Sequence, residues 1–239
     1  MKTLIAPEPR ISRIATIVSI EDDLQTQEIL KLAFREPDYI LLAASNLNEG
    51  LELARRSQSD VILLDLGLPD ASGVDNIAQI CQQTKIPILV LSATADEATK
   101  VKALRAGAEG YVTKPFGIEE LKARVRVALR HSVMAADSEP ALKYGDLRLD
   151  PATREVKVRG ESVATTPLEF SLLWLLLRHA GKIVTHRQIL SEVWGDEYVA
   201  EAQYLRVYIG YLRRKIEIDP SKPRILLTEP RVGYRLSQG

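Results

Sequence analysis

The sequence predicts an α/β chain in two parts: a parallel five-stranded sheet with helices on both faces over residues 14–132, then a smaller α+β unit over 141–239. Three observations carry this reading. In the front half, short apolar runs rich in β-branched residues alternate five times with stretches of helical period. Four of those runs end in polar or charged residues, as strands do where they meet at one sheet edge. The back half changes to short alternating segments, three helical stretches and a closing hairpin pattern.

The front elements follow in order. Strands are expected near 14–20, 39–45, 61–65, 87–92 and 110–114, and helices near 24–34, 47–57, 74–83, 96–106 and 118–131. A flavodoxin-like strand order, 2-1-3-4-5, brings the carboxyl ends of the first and third strands into one crevice. Glu21, Asp22 and Asp65 would then share it. Residues 1–13 read as an N-terminal tail, with Pro7 and Pro9 and without the continuous apolar stretch of a signal peptide. Residues 133–140 hold no sustained period, end in Pro140 and read as a linker.

In the back half, Leu147-Arg148-Leu149 and Val156-Lys157-Val158 alternate as half-buried strands do. Thr166-Pro167-Leu168-Glu169 has the form of a helix start, with Thr166 at the N-cap, Pro167 first in the helix and Glu169 available for a capping box. Helices are expected near 167–179, 185–194 and 201–217, with Gly181 and Gly195 at the stops. Arg224–Thr228 and Gly233–Leu236 flank a turn and predict a hairpin. Strands, three helices and a terminal hairpin suit a winged helix-turn-helix.

Composition bounds the function. Hydrophobic residues make up 46% and charged residues 27%, enough for two folded cores in 239 residues. The net charge of zero hides an asymmetry: residues 1–140 hold 16 basic and 20 acidic side chains, residues 141–239 hold 16 and 12. Only the back half is expected to meet a polyanion. Cys81 is the sole cysteine, which excludes an intramolecular disulfide and suits a reducing, cytoplasmic setting. It reads as a small core residue. The apolar run Leu172–Leu177 is too short to span a bilayer.

Two constellations carry chemistry. Val61-Ile62-Leu63-Leu64 closes on Asp65, Ile14–Ile20 on Glu21-Asp22-Asp23, Pro87–Leu91 on Ser92 and Tyr111–Thr113 on Lys114. Carboxylates gathered at one edge repel unless a cation neutralises them, and Mg²⁺ prefers such hard oxygen ligands. With Lys114 as a second positive charge and Ser92 as a hydroxyl donor, the set fits phosphoryl transfer to a carboxylate. In the back half, Leu205, Ile209, Leu212 and Ile216 form a buried stripe, while Arg206, Arg213 and Arg214 lie off it. Residues 203–235 hold eight basic residues against three acidic ones, interleaved with Tyr204, Tyr208, Tyr211 and Tyr234. The second helix of a helix-turn-helix enters the major groove, where Arg reads guanine, and Arg231 at the hairpin tip is placed for a minor groove or phosphate.

Residues 14–132 resemble the receiver domain of two-component response regulators. The motifs are Glu21-Asp22-Asp23, Asp65-Leu66-Gly67-Leu68-Pro69-Asp70 with Gly73, Leu91-Ser92-Ala93, and Tyr111-Val112-Thr113-Lys114-Pro115-Phe116. The resemblance implies that Asp65 accepts phosphate and that Glu21, Asp22, Asp65 and the Gly67 carbonyl hold Mg²⁺. It also implies that Ser92 and Tyr111 form the switch pair, that Lys114 contacts the phosphoryl group, and that the Lys114–Pro115 bond is cis. Residues 141–236 resemble the winged-helix domain of the OmpR/PhoB type. Ala202–Lys215, Asp65–Asp70 and Lys114-Pro115-Phe116-Gly117 are most similar to the Kdp-type regulators of potassium transport within that family.

The partners so implied are a membrane sensor histidine kinase, double-stranded promoter DNA, RNA polymerase and a second copy of the chain when phosphorylated or DNA-bound. Lys100 and Glu120 keep one charge pair of the family's dimer face. Gly110 stands where many members have Asp, which leaves Arg124 without that partner, and Arg105 reverses a usual acid. In the wing, Pro230 and Arg231 occupy places where many members have Arg and Gly. Two rival classes are weaker. A phosphotransfer enzyme lacks a catalytic constellation in the back half, which holds only His179 and His186 of the chain's three histidines. A receiver acting through protein contacts alone does not account for the basic helix.

Overall fold

The computed structural model describes residues 14–35, 37–70, 73–133, 140–199 and 202–238. The expected tail, and 134–139 of the expected linker, lie outside the described residues.

The first domain alternates strand and helix: β1 (Ala15–Ile20), α1 (Leu24–Ala33), β2 (Tyr39–Ala44), α2 (Leu47–Ser57), β3 (Val61–Asp65), α3 (Asp75–Gln83), β4 (Ile88–Ser92), α4 (Glu97–Ala106), β5 (Gly110–Thr113) and α5 (Ile118–Val133). All pairings are parallel, in the order β2-β1-β3-β4-β5. Each element falls within two residues of its expected bounds. β3 and β4 are buried at every position, as central strands covered on both faces must be.

Alternation sorts the strand residues onto two faces. Ile17, Leu63, Leu89, Leu91 and Val112 pack with Leu30, Ala33 and Phe34 of the α1 segment and with Leu121, Val125 and Ala128 of α5. Val18, Ile20, Ile62, Leu64 and Val90 face the other way, toward Ala54, Ile77, Ile80, Ala103 and Leu104. At Gly50 an added Cβ would stand 2.4 Å from Ile20 Cδ1, so α2 lies close on the sheet only because this position is glycine.

The second domain opens with an antiparallel sheet of β6 (Leu142–Tyr144), β7 (Leu147–Asp150), β8 (Glu155–Val158) and β9 (Glu161–Val163). Helices α6 (Pro167–Arg178), α7 (His186–Val193) and α8 (Ala202–Ile216) follow, with a 3-10 turn at Asp196–Tyr198. β10 (Val184–Thr185), β12 (Gly233–Leu236) and β11 (Leu226–Glu229) make the closing three-stranded sheet, with β12 in the middle. The capping box forms as expected: Thr166 Oγ1 accepts from Glu169 N, and Glu169 Oε2 accepts from Thr166 N. Gly181 and Gly195 both take positive φ at the helix stops.

The hairpin differs from expectation in one respect. Its first strand starts at Leu226 rather than Arg224. The N–H groups of Arg224, Ile225 and Leu226 all donate to the buried Glu217 carboxylate at 2.8–3.2 Å. That carboxylate takes the backbone donors a longer strand would have used.

The two domains share a seam. α4 packs on α8 and α5 on α6, and one apolar cluster runs from Leu104, Ala108 and Tyr111 into Trp194, Tyr198 and Tyr208. No helix among the described residues is long and apolar enough to cross a membrane.

Candidate functional site

The carboxyl edge of the parallel sheet gathers the expected phosphoryl-site residues. Asp65 ends β3 and is 8% exposed, and Glu21, just beyond β1, is fully buried. Asp22 beside it is exposed. One carboxylate oxygen from each of Glu21, Asp22 and Asp65 falls within 4.8 Å of the others. Asp23 stands apart from that set because its carboxylate accepts from Thr26 N and caps α1.

Lys114 closes the site from the end of β5. Its ammonium donates to Glu21 Oε2 at 2.7 Å and to Asp65 Oδ2 at 2.9 Å, and the Lys114–Pro115 peptide that follows is cis. Gly67 N donates to Asp65 Oδ1 at 3.0 Å, and a Cβ on Gly67 would come within 3.3 Å of the same carboxylate. Burial, with Asp65 alongside, raises the Glu21 carboxyl to about 7 against the lowering bond from Lys114. Burial lowers the Lys114 ammonium too, but its two carboxylate bonds outweigh that and the net shift is upward. Three neighbouring carboxylates, two of them sharing the Lys114 ammonium, all offering hard oxygen donors and one deeply buried, fit a small divalent cation such as Mg²⁺.

The hydroxyls sit behind this edge. Ser92 is buried at the end of β4, and its Oγ accepts from Thr94 N at 3.2 Å. Tyr111 is turned inward, 4% exposed, and its hydroxyl donates to the Thr94 carbonyl at 2.7 Å. Both expected switch residues therefore hold the same short loop between β4 and α4. Asp70, the other acid of the Asp65 motif, is exposed and accepts from Leu47 N at 2.9 Å, away from the phosphoryl site.

The basic residues of the second domain divide. Arg206 and Arg214 are exposed on α8, and Arg231 is exposed in the hairpin turn with φ 64°. Arg214 also lies over the Tyr211 ring, 4.4 Å from its centroid. Arg213 is half-buried: its guanidinium donates to Leu226 O at 2.8 and 3.0 Å and to Thr228 Oγ1 at 2.7 Å, joining α8 to β11. The tyrosines interleaved with the basic residues do not share the open side of α8; Tyr204, Tyr208 and Tyr211 line the seam with the first domain. Of the expected dimer-face pair, Lys100 is half-buried and Glu120 is exposed, taking Arg124 at 2.8 Å within the chain.

Sequence reasoning missed three contributors. Glu217 anchors the start of β11, Tyr198 receives Arg124, and Tyr208 reaches the Ala108 carbonyl at 2.6 Å. The available signal was the spacing of Tyr204, Tyr208, Tyr211 and Lys215, which makes a second stripe along α8.

Comparison with known proteins agrees with the geometry. Residues 17–126 match the family model of the response regulator receiver domain, and residues 160–236 that of the transcriptional regulatory protein, C terminal. The chain is 42% identical over 222 residues to the KDP operon transcriptional regulatory protein KdpE of Escherichia coli K12, covering 93% of this chain and 99% of that protein. It is also 42% identical over 220 residues to the transcriptional regulatory protein KdpE of Mycobacterium tuberculosis, covering 92% and 97%. A solved structure of a RitR mutant is 26% identical, with a TM-score of 0.78 over 94% of this chain and all of that one. The receiver match spans under half of the chain, so a score this high requires both domains to be placed alike in the two molecules.

Proposed function

The chain belongs to the OmpR/PhoB-type response regulators, DNA-binding transcriptional regulators of two-component systems, and from that premise we propose that it controls an operon for high-affinity potassium transport. The observation that carries this reading is its likeness, across nearly the whole chain, to regulators named for the KDP operon. The signal comes from a membrane sensor histidine kinase, and the output is binding to double-stranded promoter DNA and recruitment of RNA polymerase by a phosphorylated dimer.

Asp65 is the nucleophile in this reading. One of its carboxylate oxygens bonds to the phosphorus of a phosphohistidine as the P–N bond breaks. Glu21, Asp22, Asp65 and the Gly67 carbonyl would hold Mg²⁺, which would neutralise charge on the transferring oxygens. Lys114 is already within hydrogen-bonding reach of Asp65, which places its ammonium beside the carboxylate that receives the phosphoryl group. Ser92 supplies a hydroxyl, and Tyr111 reports its movement through Thr94. Arg206, Arg214 and Arg231 form the DNA-facing set, with Arg213 bracing α8 against the wing.

Deletion of the gene, followed by transcript measurement under potassium limitation, tests the regulon. Loss of induction of potassium-transport genes, with footprinting of the purified phosphorylated chain on their promoter, is the expected result. Normal induction overturns it. A different regulon within the same family is the second reading, favoured by the departure at Pro230 and Arg231 in the wing turn.

A further inference from the structure

A cavity of about 570 Å³ lies between the domains, where α3 and α4 end and α6 begins. In a parallel sheet each crossover helix ends where the next strand starts, so this edge is opposite the one that carries Asp65. The lining carries three cations, Lys85 after α3, Arg105 near the end of α4 and Lys215 of α8, against one carboxylate, Glu169 of α6. That carboxylate is committed: its Oε2 accepts from Thr166 N at 2.8 Å and from Lys215 Nζ at 2.5 Å. Lys85 and Arg105 are exposed, and neither pairs with a carboxylate among the described residues. Tyr211 lines the cavity too, and its buried hydroxyl has no hydrogen-bond partner among the described residues.

We propose that this cavity is a binding site for a small organic phosphate of about mononucleotide size, recognised by Lys85, Arg105, Lys215 and the Tyr211 hydroxyl. Cations gathered on one wall repel, as the carboxylates of the phosphoryl site do, and an anion removes that cost. Three cations against one carboxylate leave an excess of two positive charges. A phosphate monoester at neutral pH carries about −1.5 to −2, which matches it, and its oxygens accept from guanidinium, ammonium and hydroxyl donors alike. Pockets for organic ligands run to about 300–1,000 Å³, so inorganic phosphate alone would leave most of this one unfilled. The apolar side, made by Ala78, Leu104 and Ala106, suits the organic body.

The site draws its cations from both domains, so a phosphate bound there bridges them. It needs neither Asp65 nor a metal ion, and it stands apart from the potassium regulon. Thr166 lies just beyond Gly107 across the seam: a Cβ built on that glycine would stand 3.6 Å from Thr166 Cγ2 and 2.8 Å from Cys81 Sγ. With φ at 111°, Gly107 both ends α4 and lets it approach the start of α6 at the cavity wall.

Isothermal titration of the full chain with adenosine monophosphate (AMP), in EDTA, keeps metal-dependent phosphoryl chemistry out of the reading. AMP is expected to saturate the chain with a dissociation constant below about 1 mM, and adenosine and inorganic phosphate to bind at least about tenfold more weakly. Lys85→Gln combined with Arg105→Gln should raise the AMP constant by about tenfold or more. Both side chains are exposed, so an unchanged thermal midpoint should accompany that loss. Tyr211→Phe should weaken AMP by a few-fold, and Arg206→Ala, on the other face of α8, should leave it unchanged. Lys215 is kept in every variant because it holds Glu169 in the capping box. Failure of AMP to saturate by about 1 mM overturns the proposal. So does an AMP affinity unchanged in the double variant, or adenosine binding as tightly as AMP. Loss of AMP binding in Arg206→Ala overturns it too, because the anion then sits on the DNA-facing side.

Discussion

Lys114 Nζ lies 2.9 Å from Asp65 Oδ2, although 49 positions separate the two residues in the chain. Parallel order alone accomplishes this. β3 and β5 flank β4 and end at the same edge, so a side chain closing each meets the other across Ser92. The ammonium is held between two carboxylates before any phosphate arrives, so the positive charge already stands beside Asp65.

Asp65→Asn is expected to abolish Mg²⁺-dependent labelling by acetyl phosphate or by a kinase. Asp70→Asn is the control, because its carboxylate serves Leu47 N. Full labelling of the Asp65 variant would sink the assignment.

Ser92→Ala should leave labelling intact and blunt its effect on DNA affinity. The hydroxyl oxygen accepts from Thr94 N, and its O–H is the donor that a phosphoryl oxygen would engage. The check is the ratio of DNA affinities with and without phosphate. A ratio equal to that of the wild type removes Ser92 from the switch.

The sheet edge was legible because the apolar runs of 61–65 and 87–92 and the polar residues ending them are local features. The seam was not. Tyr204, Tyr208 and Tyr211 are simply interleaved with basic residues in the sequence, and only the partner domain decides which side of α8 they take. Arg213 misled for a similar reason. Seven residues place it on the same side as Arg206, yet its long side chain folds back on Leu226 O, a partner fixed by the hairpin. Glu217 read as one of few acids in a basic stretch, because its three donors lie seven to nine residues on and outside any periodic pattern.

Glu217→Ala should destabilise the second domain by about 2–4 kcal/mol, since it strips partners from three backbone N–H groups at a buried site. Glu217→Gln keeps one acceptor and should cost less. Urea denaturation followed by Trp174 and Trp194 fluorescence measures both. Equal stability of the alanine variant and wild type would show that water satisfies those groups.

Cys81 should resist alkylation in the native chain. Burial first, then the nearby Glu109 and Glu169 carboxylates, push its thiol up to about 11 from 9.0, and its S–H donates to the Gly107 carbonyl. At pH 8, below both values, the thiolate fraction is roughly a hundredfold lower than for an ordinary thiol, and reactivity should appear only as pH rises toward 11. Iodoacetamide labelling of native and urea-unfolded chain checks this; similar rates at pH 8 would contradict the burial.

Arg206 and Arg213 should separate on mutation, although they share a side of α8. Arg206 is exposed, so Arg206→Ala is expected to weaken DNA binding and to leave the domain's stability unchanged. If that contact is to a base edge, the loss is about 1–3 kcal/mol and specificity relaxes at one position. If it is to a phosphate, all sequences weaken alike and the salt slope falls by about one unit. Arg213→Ala instead leaves the Leu226 carbonyl and Thr228 hydroxyl without their donor and frees β11 from α8. Its loss of binding should therefore come with a lowered unfolding midpoint. Binding isotherms at several salt concentrations, alongside thermal unfolding of each variant, measure the two effects together. Unchanged affinity and salt slope in Arg206→Ala would mean that this face of the helix does not meet DNA, whatever Arg213 does.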